Sequence, residues 1–184
     1  MITRVTLTTL ALAASLSLPA LAQVPTAGLD QAKATVEGWF MGYEFVPGPA
    51  QYKAVGPALE PALVSLALDA SKHPLVRARA VSAMVNAKGA LTEQALVGLL
   101  EDPAADSMLR RKAARALAEG WGDQHLSVLV NAFLLAPDDV ALREGIAKAI
   151  RGLGPAGYEA RDTLLRLEKD RFVRGLLLEA KSIK

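Results

Sequence analysis

The chain has 184 residues, is 52% hydrophobic, carries a formal net charge of +2 and contains no cysteine. It is long enough for one domain with a real core. The missing cysteines exclude disulfides and thiolate metal sites, and the near-neutral balance lacks the basic excess of a typical nucleic-acid binder.

Residues 1–22, "MITRVTLTTLALAASLSLPALA", begin with one early cation, Arg4. An apolar and small-residue run follows from Val5 to Leu18, then Pro19 and the A-x-A pattern Ala20-Leu21-Ala22. This is the layout of a secretory leader cleaved after Ala22. Its apolar stretch is short for a ~30 Å hydrocarbon layer, which disfavours a membrane anchor. Losing Arg4 takes Lys+Arg from 21 to 20 against 19 Asp+Glu, so the mature chain is expected to be exported and almost neutral. No later run is long and apolar enough for stable membrane insertion.

The next segment, 23–56, carries five of the nine aromatics: Trp39, Phe40, Tyr43, Phe45 and Tyr52. The pattern predicts a helix from about Asp30 to Met41, a turn at Pro47-Gly48-Pro49, and a short helix over 50–55. The rings either cap one end of the following domain or form a binding surface for a peptide or glycan.

From residue 57 to 184 the chain repeats. The segments "VRARAVSAM" (76–84), "LRRKAARAL" (109–117), "LREGIAKAI" (142–150) and "VRGLLLEAK" (173–181) align without gaps. Each opens with an aliphatic residue and an Arg. The arginines are Arg77, Arg110, Arg143 and Arg174, spaced by 33, 33 and 31 residues. Three positions on stand Ala80, Ala113, Ile146 and Leu177; six positions on stand Ala83, Ala116, Ala149 and Ala180. A second helix precedes each one, in "LVSLALD" (63–69), "LVGLLED" (96–102), "LVNAFLL" (129–135) and "LLRLEKD" (164–170), whose apolar residues recur three and four apart. His73-Pro74, Asp102-Pro103, Pro137-Asp138 and Gly154-Pro155 interrupt the helices. Gly89 and Gly120 are expected just past two of the second helices, in the left-handed conformation that ends a helix.

Four residues before each repeated Arg stand His73, Asp106, Asp139 and Asp170. A carboxylate at a helix start accepts backbone N–H groups and suits the helix dipole. These acids and arginines are therefore expected to be structural, as caps and a stacking ladder in which Asp can also meet an Arg of its own or a neighbouring unit.

This pattern resembles the short variety of HEAT-type helical repeats, in which an aliphatic-Arg pair opens the second helix, an Ala-rich stripe follows and Asp marks the turn. The resemblance covers about 57–184 and implies an all-α, right-handed α-solenoid of about four two-helix units, with the aromatic segment as an N-terminal cap. His73 and Lys181 depart from the pattern in the terminal units, where one neighbour is missing.

Chemistry-bearing constellations are scarce. His73 and His125 lie far apart, and neither H-E-x-x-H, calcium-loop, G-x-S-x-G, phosphate-loop nor dinucleotide spacings occur. Neither catalytic residues, metal nor cofactor are expected. Asp138-Asp139 reads as a helix start, and Trp121 between Gly120 and Gly122 reads as packing between units. On the second helices, the positions one, five and eight after the repeated Arg should face away from the core. In the first unit these are Ala78, Ser82 and Val85; in the last, Gly175, Glu179 and Ser182. The middle units would present Arg111, Arg115, Lys148 and Arg151 with Glu144 on the side that the resemblance makes concave. That stripe is either a solvated face or a contact surface for an acidic protein segment or envelope component. The expected function is a non-enzymatic interaction scaffold or adaptor of the bacterial envelope, periplasmic or secreted. The alternatives are an enzyme or enzyme accessory of the HEAT-like lyase type, which lacks a nameable acid or base here, and nucleic-acid binding through the basic stripe, which the charge balance opposes.

Overall fold

The computed structural model describes residues 26–42 and 45–178. The expected leader, Tyr43, and the positions Glu179, Ala180, Lys181 and Ser182 lie outside the described residues. Among those described, every regular element is a helix and there is no strand. In chain order they are α1 (Thr26–Met41), α2 (Pro49–Val55), α3 (Leu59–Leu68), α4 (Pro74–Ala83), α5 (Ala90–Glu101), α6 (Ser107–Trp121), α7 (Leu126–Leu134), α8 (Val140–Gly152), α9 (Tyr158–Leu167) and α10 (Arg171–Leu178). Helix α1 starts four residues before the expected Asp30. None of these helices is long and apolar enough to cross a membrane.

From α3 onward each helix packs on its partner in sequence and on the equivalent helix of the next pair. Thus α3, α5, α7 and α9 lie in succession, and so do α4, α6, α8 and α10, while α1 covers α3 and α4. One apolar cluster runs from Val36 of α1 to Leu177 of α10. In it Ala80, Ala113, Ala83, Ala116 and Ala149 are buried, as are Ile146 and Leu177. Their small side chains let neighbouring helices approach closely, and Met84, Leu117 and Ile150 fill the space between. Each large aliphatic side chain so buried contributes about 1.5–3 kcal/mol.

Polar groups settle the helix ends. The Asp106 carboxylate accepts the Met108 and Leu109 N–H groups at 2.9 and 3.3 Å, and Asp139 accepts that of Leu142 at 2.8 Å. Asp170 accepts those of Phe172 and Val173, and His73 Nδ1 accepts that of Leu75. The repeated arginines reach the opposite kind of end. Arg77 Nε donates to the Ala67 carbonyl at 3.0 Å and Arg110 Nε to Leu100 at 3.1 Å. Arg143 Nη1 donates to Ala136 and Pro137, and Arg174 Nη1 to Leu165 and Glu168. The Ala67, Leu100, Leu165 and Glu168 carbonyls end α3, α5 and α9, lack intrahelical donors and sit at the negative end of the dipole, while Ala136 and Pro137 lie in the turn just after α7. Each Asp therefore starts the second helix of a pair while the Arg one turn on ties down the end of the first.

Two glycine expectations are corrected. Gly120 lies inside α6, and the left-handed residue that ends this helix is Gly122, with φ of 63°. Gly89 is extended rather than left-handed, and it starts α5. There the Glu60 carboxylate of α3 accepts the Leu91 and Thr92 N–H groups at 2.8 and 3.0 Å, in the space a side chain at 89 would take.

Candidate interaction groove

On α6, Leu109, Ala113, Ala116 and Leu117 face the core, so the 3.6-residue period turns Met108, Arg111, Lys112, Arg115 and Glu119 the other way. Helix α8 repeats the arrangement with Gly145, Lys148 and Gly152 opposite Ile146 and Ile150. Between them lies a groove of about 440 Å³, into which Arg111, Lys112, Arg115 and Lys148 all project. Its floor is made of small residues, Ala118, Gly145 and Ala149. At Gly145 the helices pass so close that a Cβ would stand 2.9 Å from Arg111 Cγ. Glycine in mid-helix costs about 1 kcal/mol relative to alanine, and here it gives the Arg111 stem its place against α8.

The groove is basic but not uniformly so. Arg115 Nε donates to Glu119 at 2.6 Å, and Lys148 pairs with Glu144; both pairs are exposed i,i+4 contacts of small energetic weight. Neither Arg111 nor Lys112 makes a side-chain hydrogen bond among the described residues. Asp139, at the start of α8, feels this charge. Burial raises its pKa, but the Ser107 hydroxyl, the Leu142 N–H, Arg110 and Arg111 outweigh burial and hold the carboxyl below its ordinary value.

The structure places the residues singled out in the sequence as follows. Arg111, Arg115 and Lys148 share the groove. Arg151 is half-buried on α8 and does not line it. Glu144 lies beside the groove as the partner of Lys148. Lys112 and Met108 line the groove although the one-five-eight register passed over them. The i, i+4, i+7 spacing of Met108, Lys112 and Arg115 was the available signal. Ala78, expected to face outward, is buried: α4 lies between α1 and α6, so both its flanks are covered. In this first pair an imidazole does the capping, since His73 stands where the later pairs have Asp106, Asp139 and Asp170.

Two other places carry polar chemistry. His125 Nε2 lies 2.8 Å from Glu93 Oε1, beside a shallow hollow of about 520 Å³ that Gln94 and Glu101 also line. Glu93 stands 33 residues after Glu60, the residue that caps α5 from α3, so the pair reads first as the same joint one step along. Arg143, Nε to Glu168 Oε2 at 2.7 Å, makes a buried ion pair joining α8 to the end of α9. Burial raises the Glu168 pKa, but Arg143 and the Asp170 and Lys169 N–H groups more than offset it and keep it low.

In the aromatic segment, Phe40 and Tyr52 are buried and Trp39 packs on the core, 5.8 Å from the Tyr52 ring and 6.2 Å from Phe45. Arg79 Nη1 donates to the Phe40 and Gly42 carbonyls, tying the end of α1 to α4. Lys72, in the turn between α3 and α4, pairs with Glu37 of α1 at 2.8 Å. Burial raises the Tyr52 pKa. Trp121 is half-buried and packs against the core. No group of three or more metal-ligating side chains occurs among the described residues.

No family model, curated protein or solved structure matches the chain.

Proposed function

We propose that residues 57–184 form a short HEAT-type right-handed solenoid of about four two-helix units, preceded by a helical cap over 23–56 and a cleaved leader over 1–22. The protein so built is a non-enzymatic scaffold or adaptor of the cell envelope, acting outside the cytoplasm. It holds an acidic protein partner through the groove between α6 and α8. The observation that carries this reading is the convergence of four cations, Arg111, Lys112, Arg115 and Lys148, on one concave surface floored by small residues. Two of them lack a hydrogen-bonding side-chain partner among the described residues. Stacked helix pairs that share one interior support the solenoid, because each pair buries its apolar stripe only against its neighbours.

A capture experiment from envelope extract tests the function, comparing the parent with Arg111→Glu/Arg115→Glu. One partner enriched by the parent and lost by the variant is the expected result; equal capture by both overturns the reading. Binding of a DNA duplex that falls steeply with salt would move the groove to nucleic acid instead. For the solenoid, excising one full period (residues 90–122) should leave a helical protein that melts cooperatively at lower temperature. Loss of all structure would contradict a modular stack.

A further inference from the structure

We propose that one edge of the stack, at the turns from α7 to α8 and from α9 to α10, docks on an anionic lipid bilayer. Leu134, Leu135 and Val140 flank the first turn, Leu167 and Phe172 the second. All five are exposed, Leu135 by 80%, Leu167 by 58% and Phe172 by 60%. The Arg143 guanidinium joins the two turns into one edge. Its Nη1 donates to the Ala136 and Pro137 carbonyls of the first, and its Nε to Glu168 of the second. Leu135 and Leu167 directly precede Ala136 and Glu168, and α7 and α9 are neighbours. The two leucines therefore stand about one helix spacing, 8–10 Å, apart. The first two pairs differ at this edge: Asp69 and Asp102 follow α3 and α5 where Leu135 follows α7. The fold accepts aspartate there, so packing does not explain the exposed leucine.

Charge selects the occupant. Arg166, Lys169 and Arg171 surround Leu167, all exposed and without a side-chain hydrogen bond or ion pair among the described residues. Of the acids in the two turns, Glu168 is buried against Arg143, Asp139 and Asp170 cap α8 and α10, and Asp138 is exposed. Apolar side chains ringed by cations suit an anionic bilayer: headgroups meet the cations while the leucines enter the acyl boundary. An acidic polysaccharide satisfies the cations but leaves the leucines in water. A second copy of the chain, edge to edge, sets these cations against their own counterparts. A folded protein must be shaped to two protruding tips, whereas lipid adapts to them. Asp69, Asp102 and Asp106, on the first two turns, repel the same headgroups and confine the contact to the second half of the edge. The docking is peripheral, since no helix among the described residues is long and apolar enough to cross. It uses no residue of the basic groove, so it stands or falls apart from the groove's partner.

Flotation of the purified protein with vesicles tests this. The probes are equimolar phosphatidylglycerol–phosphatidylcholine vesicles and vesicles of phosphatidylcholine alone. Binding to the first should be at least tenfold tighter than to the second. It should weaken at least fivefold in Leu135→Ser/Leu167→Ser and in Lys169→Glu/Arg171→Glu, and change less than twofold in Arg111→Glu/Arg115→Glu. The four side chains changed at the edge are exposed, and melting curves of both edge variants should match the parent. Because the chain lacks cysteine, a polarity-sensitive dye on Leu135→Cys reports the place of contact. Its emission should shift to the blue with the anionic vesicles, while the same dye on Asp102→Cys, at the matching turn of the second pair, should not shift. Equal binding to both kinds of vesicle overturns the anionic bilayer. So do leucine variants that bind like the parent, or a groove variant that loses the vesicles, because each puts the contact elsewhere. Absence of vesicle binding overturns the proposal outright, and self-association lost in Leu135→Ser/Leu167→Ser would then give the edge to a second copy.

Discussion

Arg110 and Arg111 are neighbours in sequence and opposites in place. Arg110 is buried in the seam between α5 and α6, with its Nε on the Leu100 carbonyl, whereas Arg111 stands exposed in the groove. Helix α8 repeats the contrast with Arg143, buried against Glu168, and Glu144, which holds Lys148 at the groove. One side of each helix is where stability resides, because desolvated groups there have no alternative partner. The other side is where charge is left available. Substitutions should therefore separate cleanly by side, and their effects on melting should span the range from complete loss of structure to almost nothing.

The largest effect is expected at Ala116, which is 2% exposed in the seam. Ala116→Asp places an unpaired carboxylate among apolar neighbours, a cost that rivals the whole stability of a small domain. Circular dichroism should show no cooperative melting transition; a parent-like melt would place Ala116 outside the seam. Next comes Glu168→Ala, which strands the buried Arg143 guanidinium and should cost about 3–5 kcal/mol. Because the folded-state pKa of Glu168 lies below its ordinary value of 4.5, the pair's contribution is present above that value. It is lost as pH falls below 4.5 through the depressed folded pKa. Urea melts should thus show the parent losing stability over that acid range, and Glu168→Ala losing less of it. Arg110→Ala comes third, at about 1.5–3 kcal/mol, for one charged hydrogen bond to a helix-end carbonyl. A loss at Arg110 as large as that at Glu168 would mean that the two seams are built alike.

The helices and the buried alanine columns were legible because they recur: a period near 33 puts Ala83, Ala116 and Ala149 in one register, and chance does not sustain it. The Asp column was legible for the same reason, since capping is a local act between a side chain and the next turn. What the sequence hid depends on one-off or tertiary contacts. Glu168 has Ser71, Ala104 and Pro137 at its equivalent positions, so no column marks it. Ala78 is buried only because α1 lies against α4, a contact outside the repeat. Gly120 and Gly122 flank one tryptophan, and a composition signal does not say which of them ends the helix. At the groove, Arg111, Arg115 and Lys148 came from a spacing rule. Lys112 was within reach of the i, i+4, i+7 spacing that joins Met108, Lys112 and Arg115, but the one-five-eight rule follows a narrower stripe and passes over it.

The smallest change in stability is expected from Arg111→Glu/Arg115→Glu, and it is the sharpest test of the contrast. The Arg115–Glu119 pair is 70% and 49% exposed, and breaking such a contact costs about 0–1 kcal/mol. Reversal at 115 also sets two carboxylates one turn apart, worth a few tenths more. Arg111 contributes at a distance: it is one of the cations that hold Asp139 low, after the Ser107 hydroxyl, the Leu142 N–H and Arg110. Removing it should raise the Asp139 pKa toward, but not to, its ordinary value, which a carboxyl NMR titration would read directly. A depressed carboxylate stabilises the fold above its unfolded pKa, so a smaller depression means slightly less stability at neutral pH and a shallower loss in acid. The melting temperature should still move by only a few degrees. If the double variant instead unfolded, Arg111 and Arg115 would belong to the seam after all, and loss of a partner in that variant would say nothing about the groove.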